Sequence, residues 1–194
     1  MKTLLNILCL LLISINVNCQ VTQILPLNGG EMSYGSYRKD LNNELPFWVG
    51  TWEGVSNGKK YVFEFTFFQQ HLSQYDIDKY YYYDEIKGKF KVIDLNTNAI
   101  LYNGLNATVY DDYTITNLVL RGNSLLLLFQ DGEINCCNTA EFYLIKDSNS
   151  PDQIMYKDFS YGEYGCLSNN PCLYNDQLDI PMFLPTQDFV LTRQ

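Results

Sequence analysis

His71 is the only histidine in the chain, so any Ser-His-Asp or Cys-His arrangement, and any imidazole-rich zinc or iron site, would have to be built on it. It lies in "FFQQHLSQ", at the polar end of an apolar run with no motif around it, and reads as a surface histidine. Asp94-x-Asn96-x-Asn98 has the opening spacing of a calcium loop, in which oxygen side chains at alternate positions converge on the ion. Ala99 then stands where the bend needs glycine, and Leu105 where the closing glutamate belongs, so the stretch reads as a turn. Asp76-x-Asp78 and Asp111-Asp112 read as solvated loop acids. The sequence shows no glycine-rich phosphate loop, no nucleophile elbow and no carboxylate pair in a recognisable setting. These residues predict a protein that binds rather than catalyses, with no cofactor and no metal.

The run "KYYYYDE" offers a different chemistry. On a strand Tyr80 and Tyr82 share one face, and Tyr81 and Tyr83 the other. One pair then belongs to a core, and Tyr81 and Tyr83 form an outer stacking surface for a glycan or a protein, since a phenol ring offers apolar area with a polar tip. The acidic balance, Lys+Arg 13 against Asp+Glu 22, excludes nucleic acid and anionic membrane surfaces as partners of first choice.

Compartment is read from the N-terminus and the cysteines. Met1-Lys2-Thr3 is a short basic start, and Leu4 to Ile15 is apolar but too short to span a bilayer, as in an export leader covering residues 1–19 and cleaved before Gln20. The expected location is the periplasm or the medium; a lipid anchor on Cys19 is the weaker reading, because Asn16 and Asn18 are polar where a lipoprotein leader is apolar and small. No later stretch has the length and apolarity of a transmembrane helix. Loss of Cys9 and Cys19 with the leader leaves Cys136, Cys137, Cys166 and Cys172, which in an oxidising compartment are disulfide candidates. Adjacent Cys136 and Cys137 point to opposite faces of a strand, so one of them is expected to reach Cys166 or Cys172, although the latter pair also permits a local loop. The spacings match no common zinc pattern.

The elements that must position these residues are strands. From Phe47 onward apolar residues recur with period two between Gly and Asn turns, as in an antiparallel all-β domain. "SNGK" carries the Asn-Gly pair of a type I′ hairpin, folding the Trp52 strand onto "KYVFEFTFF", where Tyr61, Phe63, Phe65 and Phe67 share a face that must be buried. "YYYYDEIKGKFKVIDL" places Ile86, Phe90 and Val92 opposite Lys87, Lys89 and Lys91. Later segments "ILYNG", "LVLRGNSLLLLFQDGE", "AEFYLIK", "QIMYKDF" and "DFVLTRQ" bring the total to about eight to ten strands, which suits an up-and-down barrel or a sandwich. One domain over residues 47–194 is expected, preceded by a polar, aperiodic arm over residues 20–46 and interrupted by a long Cys-containing loop, Ser160 to Pro185.

Trp52 sits in "GTW", with Gly50 and Gly54 leaving space about the ring, and Arg193 lies in the last strand, which a closing barrel brings beside the first. A guanidinium stacked on the Trp52 indole would then seal one end. This pairing of "GTW" with "VLTRQ" resembles the lipocalin and fatty-acid-binding superfamily, from which Gly50, Trp52 and Arg193 carry over as structural closure residues. The chain lacks that pattern's helical lid after the first strand and its basic pair for a carboxylate. Together "LNNELPFWVGTW", the late cysteines and "FLPTQDFVLTRQ" resemble a family of small secreted bacterial proteins that brings no established activity. A lipocalin-like barrel implies a small apolar or amphipathic ligand lodged among Trp52, Phe63, Phe65, Phe90, Leu128 and Phe142. The alternative is an envelope or surface interaction protein with a filled core, using Tyr81, Tyr83 and the loops. The sequence leaves oligomeric state open.

Overall fold

The computed structural model describes residues 21–131, 138–162 and 181–194. Among them lie eleven strands: β1 (Gln23–Pro26), β2 (Ser36–Lys39), β3 (Gly50–Ser56), β4 (Lys59–Asp76), β5 (Lys79–Asp94), β6 (Ile100–Asn103), β7 (Ile115–Arg121), β8 (Ser124–Asp131), β9 (Asn138–Lys146), β10 (Gln153–Tyr161) and β11 (Phe189–Arg193). Strands β3, β4 and β5 form one antiparallel meander and β7 to β11 another. Pairing of β7 with β5 and of β11 with β3 closes them into a barrel of eight antiparallel strands, as the alternation of the sequence predicts. Asn57 and Gly58, at φ 50° and 71°, make the tight turn between β3 and β4.

Strands β4 and β5, with 18 and 16 residues, outrun the barrel. The same edge of β5 therefore receives three strands in succession: β2 in parallel at Tyr82–Tyr83, β7 at Lys87–Gly88, and β6 at Lys91–Ile93. The stretch expected to be an aperiodic arm thus contains two strands, since β1 pairs in parallel with β2 and β2 with β5. Each is only four residues long, too short for period two to show in a single sequence. Beyond them Asp40 accepts hydrogen bonds from the amides of Glu44 and Leu45, holding the 3-10 helix Leu45–Trp48 against the barrel.

The core follows the predicted parity almost throughout. Tyr61, Phe63 and Phe65 of β4, Ile86, Phe90 and Val92 of β5, and Phe142 and Leu144 of β9 are buried. The exceptions are Phe67, which is only half-buried, and β8, where Leu125, Leu127 and Phe129 point inward and Leu128 lies half-buried on the outer face. Four consecutive leucines satisfy either parity, and only the register against β7 and β9 decides between them.

One end of the barrel is closed by the 3-10 helix and by Trp52 with Arg193. Towards the other, Phe183 stacks on Tyr102 at 5.2 Å between ring centroids, Tyr102 stacks on Phe90 at 4.4 Å, and Leu184 is buried beside them. Cys136, Cys137, Cys166 and Cys172, with most of the long loop and the leader, lie outside the described residues.

Candidate binding groove

Five of the six residues expected to line an apolar cavity do converge in the barrel, but their rings meet one another. Phe63 lies within 6.1 Å of Phe65, 5.6 Å of Phe90, 6.3 Å of Phe142 and 6.1 Å of Tyr156, centroid to centroid. These are distances of direct aromatic packing. Phe142 and Tyr156 stack at 4.7 Å, and Trp52, Phe63, Phe90 and Phe142 are fully buried. Leu128, the sixth, is outside.

Trp52 and Arg193 stand opposite each other in register on β3 and β11, and the guanidinium lies 4.2 Å from the indole. Arg193 Nη1 donates to the Val49 carbonyl at 2.7 Å, its Nη2 donates to the Phe47 carbonyl, and Trp52 Nε1 donates to Trp48 O at 2.9 Å. Gly50, at φ 117°, lets the chain bend from the 3-10 helix into β3 directly beneath Arg193. The guanidinium thus lies over the indole at the seam between β3 and β11. Gly54 serves a different neighbour: the space it leaves is filled by Phe189 and the Val190 carbonyl of β11 rather than by the indole.

A second feature lies on the outer surface, where β2 and β7 part from their shared edge of β5. Between Tyr83, paired with Arg38, and Lys87, paired with Thr116, no strand of the described residues lies beside the edge of β5. The result is a groove of about 390 Å³. The amide of Ile86, facing the gap, donates at 2.5 Å to Asn117 Oδ1 from β7. Asn28, just past β1, donates to the Leu120 carbonyl and bridges the groove's far end.

The groove's walls differ in character. Tyr75 and Tyr83 form one side, continued outward by a tyrosine ladder in which Tyr81 lies 5.4 Å from Tyr34, 6.4 Å from Tyr75 and 6.2 Å from Tyr83. Tyr81 and Tyr83 are half-buried, whereas Tyr75 is 76% exposed. Arg38, beside Tyr83 on β2, is anchored by bonds from Nη2 to the carbonyls of Gly29 and Gly30 at 3.0 and 3.2 Å. Asp84, buried, accepts from Tyr37 Oη at 2.6 Å, from the Asp40 amide at 2.9 Å and from the Gln70 amide at 2.8 Å. Burial, then this carboxylate, pushes the Tyr37 phenol pKa well above its ordinary value. Glu85 accepts from Tyr110 Oη at 2.5 Å.

His71 lies face to face with Tyr110, 3.4 Å between centroids, and Phe68 and Tyr113 complete this outer cluster beside the groove. The Lys87 ammonium sits 4.4 Å over the Tyr110 ring and donates to Thr116 Oγ1 at 2.8 Å, its pKa drawn down chiefly by burial. Asp94 Oδ1 accepts from the amides of Asn96 and Thr97 at 2.8 and 2.9 Å, which makes "DLNTN" a side-chain-braced turn. Those two amides hold the Asp94 carboxyl below the usual carboxylate range.

Residues 1–143 match a family of unknown function (DUF6705). The chain belongs to this family. No curated protein and no solved structure matches it. The DUF6705 match runs from the N-terminus into β9, so it takes in Trp52 and the whole groove, while Arg193 lies beyond its end.

Arg38, Tyr75, Glu85, Tyr110 and Asn117 were not singled out from sequence. Glu85 was within reach, because it shares the outward parity of Tyr81 and Tyr83. Tyr110 and Asn117 come from strands and loops about thirty residues away in sequence, and only the barrel's closure delivers them to β5.

Proposed function

We propose that this chain is an exported, non-catalytic binding protein that engages its partner on the outside of a filled barrel. The observation that carries this reading is the packing of Phe63, Phe90, Phe142 and Tyr156: two stacked pairs, Phe63–Phe90 and Phe142–Tyr156, that meet through Phe63 inside the barrel. It favours the surface-interaction reading over an apolar ligand held among Trp52, Phe63, Phe65, Phe90 and Phe142. A non-catalytic role is supported by the way the acidic groups at the groove are used: Asp84 is taken up by three structural hydrogen bonds and Glu85 by Tyr110. Export is supported by the basic start and apolar run of the N-terminus.

Native mass spectrometry of the chain from Gln20, produced by export from a bacterial host, tests the reading. The bare chain mass should persist after incubation with a lipid extract. A bound mass that organic extraction removes would return the binding site to the barrel interior and overturn the proposal.

A further inference from the structure

We infer that the groove beside β5 binds a neutral sugar unit, with Tyr75 and Tyr83 as its stacking face and Arg38, Glu85 and Asn117 meeting its hydroxyls. The inference rests on the outer-surface reading above and gives it a ligand class.

It follows from which polar atoms of the groove are already used. Asp84 is fully engaged, and Asn117 Oδ1 holds the Ile86 amide. The unspent groups at the groove, among the described residues, include several donors and one carboxylate. Arg38 Nη1 and Asn117 Nδ2 make no hydrogen bond, the phenols of Tyr75 and Tyr83 make none, Arg38 has no ion pair, and Glu85 uses one oxygen only. A sugar ring presents vicinal hydroxyls that each donate and accept, and a C–H face that packs on an aromatic ring. Planar side chains offering both polarities beside two phenols match that pattern. The volume, about 390 Å³, falls within the range of small-ligand sites.

The other ligand classes fit less well. An anion such as phosphate meets one guanidinium together with Asp84 and Glu85, in a chain of net charge −9. A metal cation would have Arg38 in its wall and only one oxygen of Glu85 to bind. An apolar ligand would leave the donors of Arg38 and Asn117 unpaired. The anchoring of Arg38 by Gly29 and Gly30 fixes its planar fork before any ligand arrives, which reduces the ordering entropy lost on binding.

The test uses the chain from Gln20 with cellotriose, mannotriose, xylotriose and chitotriose as neutral probes and trigalacturonate as the anionic contrast, read by saturation-transfer NMR and titration calorimetry. At least one neutral trimer should bind, and Tyr75→Ala should weaken it by about tenfold, since the exposed ring supplies stacking without supporting the fold. Glu85→Gln should weaken the same trimer while keeping the amide within reach of Tyr110. Val190→Ser, on the remote outer face of β11, should bind as the parent does. Binding by trigalacturonate alone would overturn the neutral-sugar assignment in favour of an anion held by Arg38. A trimer whose affinity neither groove variant alters would overturn the location. No binding by any neutral probe, with native mass spectrometry still showing an empty barrel, would overturn the ligand class and leave the outer-surface reading standing.

Discussion

Arg193 shows how one side chain can secure the closure of a barrel. Its guanidinium joins the last strand to two carbonyls, of Phe47 and Val49, that precede β3, the first strand of the barrel, and covers the Trp52 ring, so charge, fork geometry and planarity are all used at once. Arg193→Lys keeps the charge but loses the fork and should destabilise by about 2 kcal/mol in urea unfolding; Arg193→Ala should cost about 3 kcal/mol. A result near zero for Arg193→Ala would mean that β11 is held by its ladder alone. Tyr156 makes the opposite case. Its ring is packed against Phe142 while its hydroxyl is buried with no hydrogen-bond partner among the described residues. Tyr156→Phe should therefore be stabilising, on the order of 1 kcal/mol, because the buried hydroxyl loses water and gains nothing. Gly54→Ala would place a methyl group 2.4 Å from the Val190 carbonyl and push β11 from β3. A loss of about 2 kcal/mol is expected. Sequence alone marks Gly54 as room for the indole; the neighbour it accommodates becomes visible only when the last strand arrives.

At the scale of elements, the unusual component is the long β4–β5 ribbon and the N-terminal strands laid along it. A two-stranded ribbon projecting from a barrel has little apolar area of its own to hold it. Asp84 compensates by tying three separate pieces together: Tyr37 of β2, the Asp40 amide beyond it, and the Gln70 amide in the bulge of β4, where Gln70 adopts φ 49°. Asp84→Ala should release β2 from β5 and leave the barrel folded. Hydrogen exchange should then show protection lost at Ser36–Lys39 and retained at Phe63 and Phe90. Loss of protection in the barrel as well would show that the N-terminal strands belong to one cooperative unit with it. The hairpins were legible because each is signalled locally by period two and a Gly or Asn turn. The parallel strands were not, since neither their length nor their composition signals which strand each pairs with, β2 for β1 and the distant β5 for β2.

For the whole molecule, burial has raised the phenol pKa values of Tyr37, Tyr110 and Tyr156 well above the ordinary value, with Asp84 adding to it at Tyr37 and Glu85 at Tyr110. A group whose folded pKa lies above its unfolded one supplies stability that is complete below the unfolded pKa and disappears as pH rises through the folded value. The unfolded value for tyrosine is about 10, so urea midpoints should fall steeply beyond it. Lys87 and Lys146, whose pKa values burial lowers, act in the opposite sense and at lower pH, adding stability as pH rises towards their unfolded value of about 10.4, so midpoints should rise slightly before the fall. Tyr156→Phe should flatten the fall, and an unchanged slope in that variant would place the alkaline sensitivity elsewhere. The sequence by itself determined the antiparallel class, most hairpins, the inward parity of β4, β5 and β9, and the Trp52–Arg193 closure, because these depend on alternation, turn chemistry and the meeting of first and last strands. Only the tertiary structure decided the register of the leucine run in β8, the contacts among Phe63, Phe90, Phe142 and Tyr156 inside the barrel, and the groove where β2 and β7 leave β5. Those depend on which strands share an edge and how large side chains meet across the barrel, and distances of that kind are not written in local pattern.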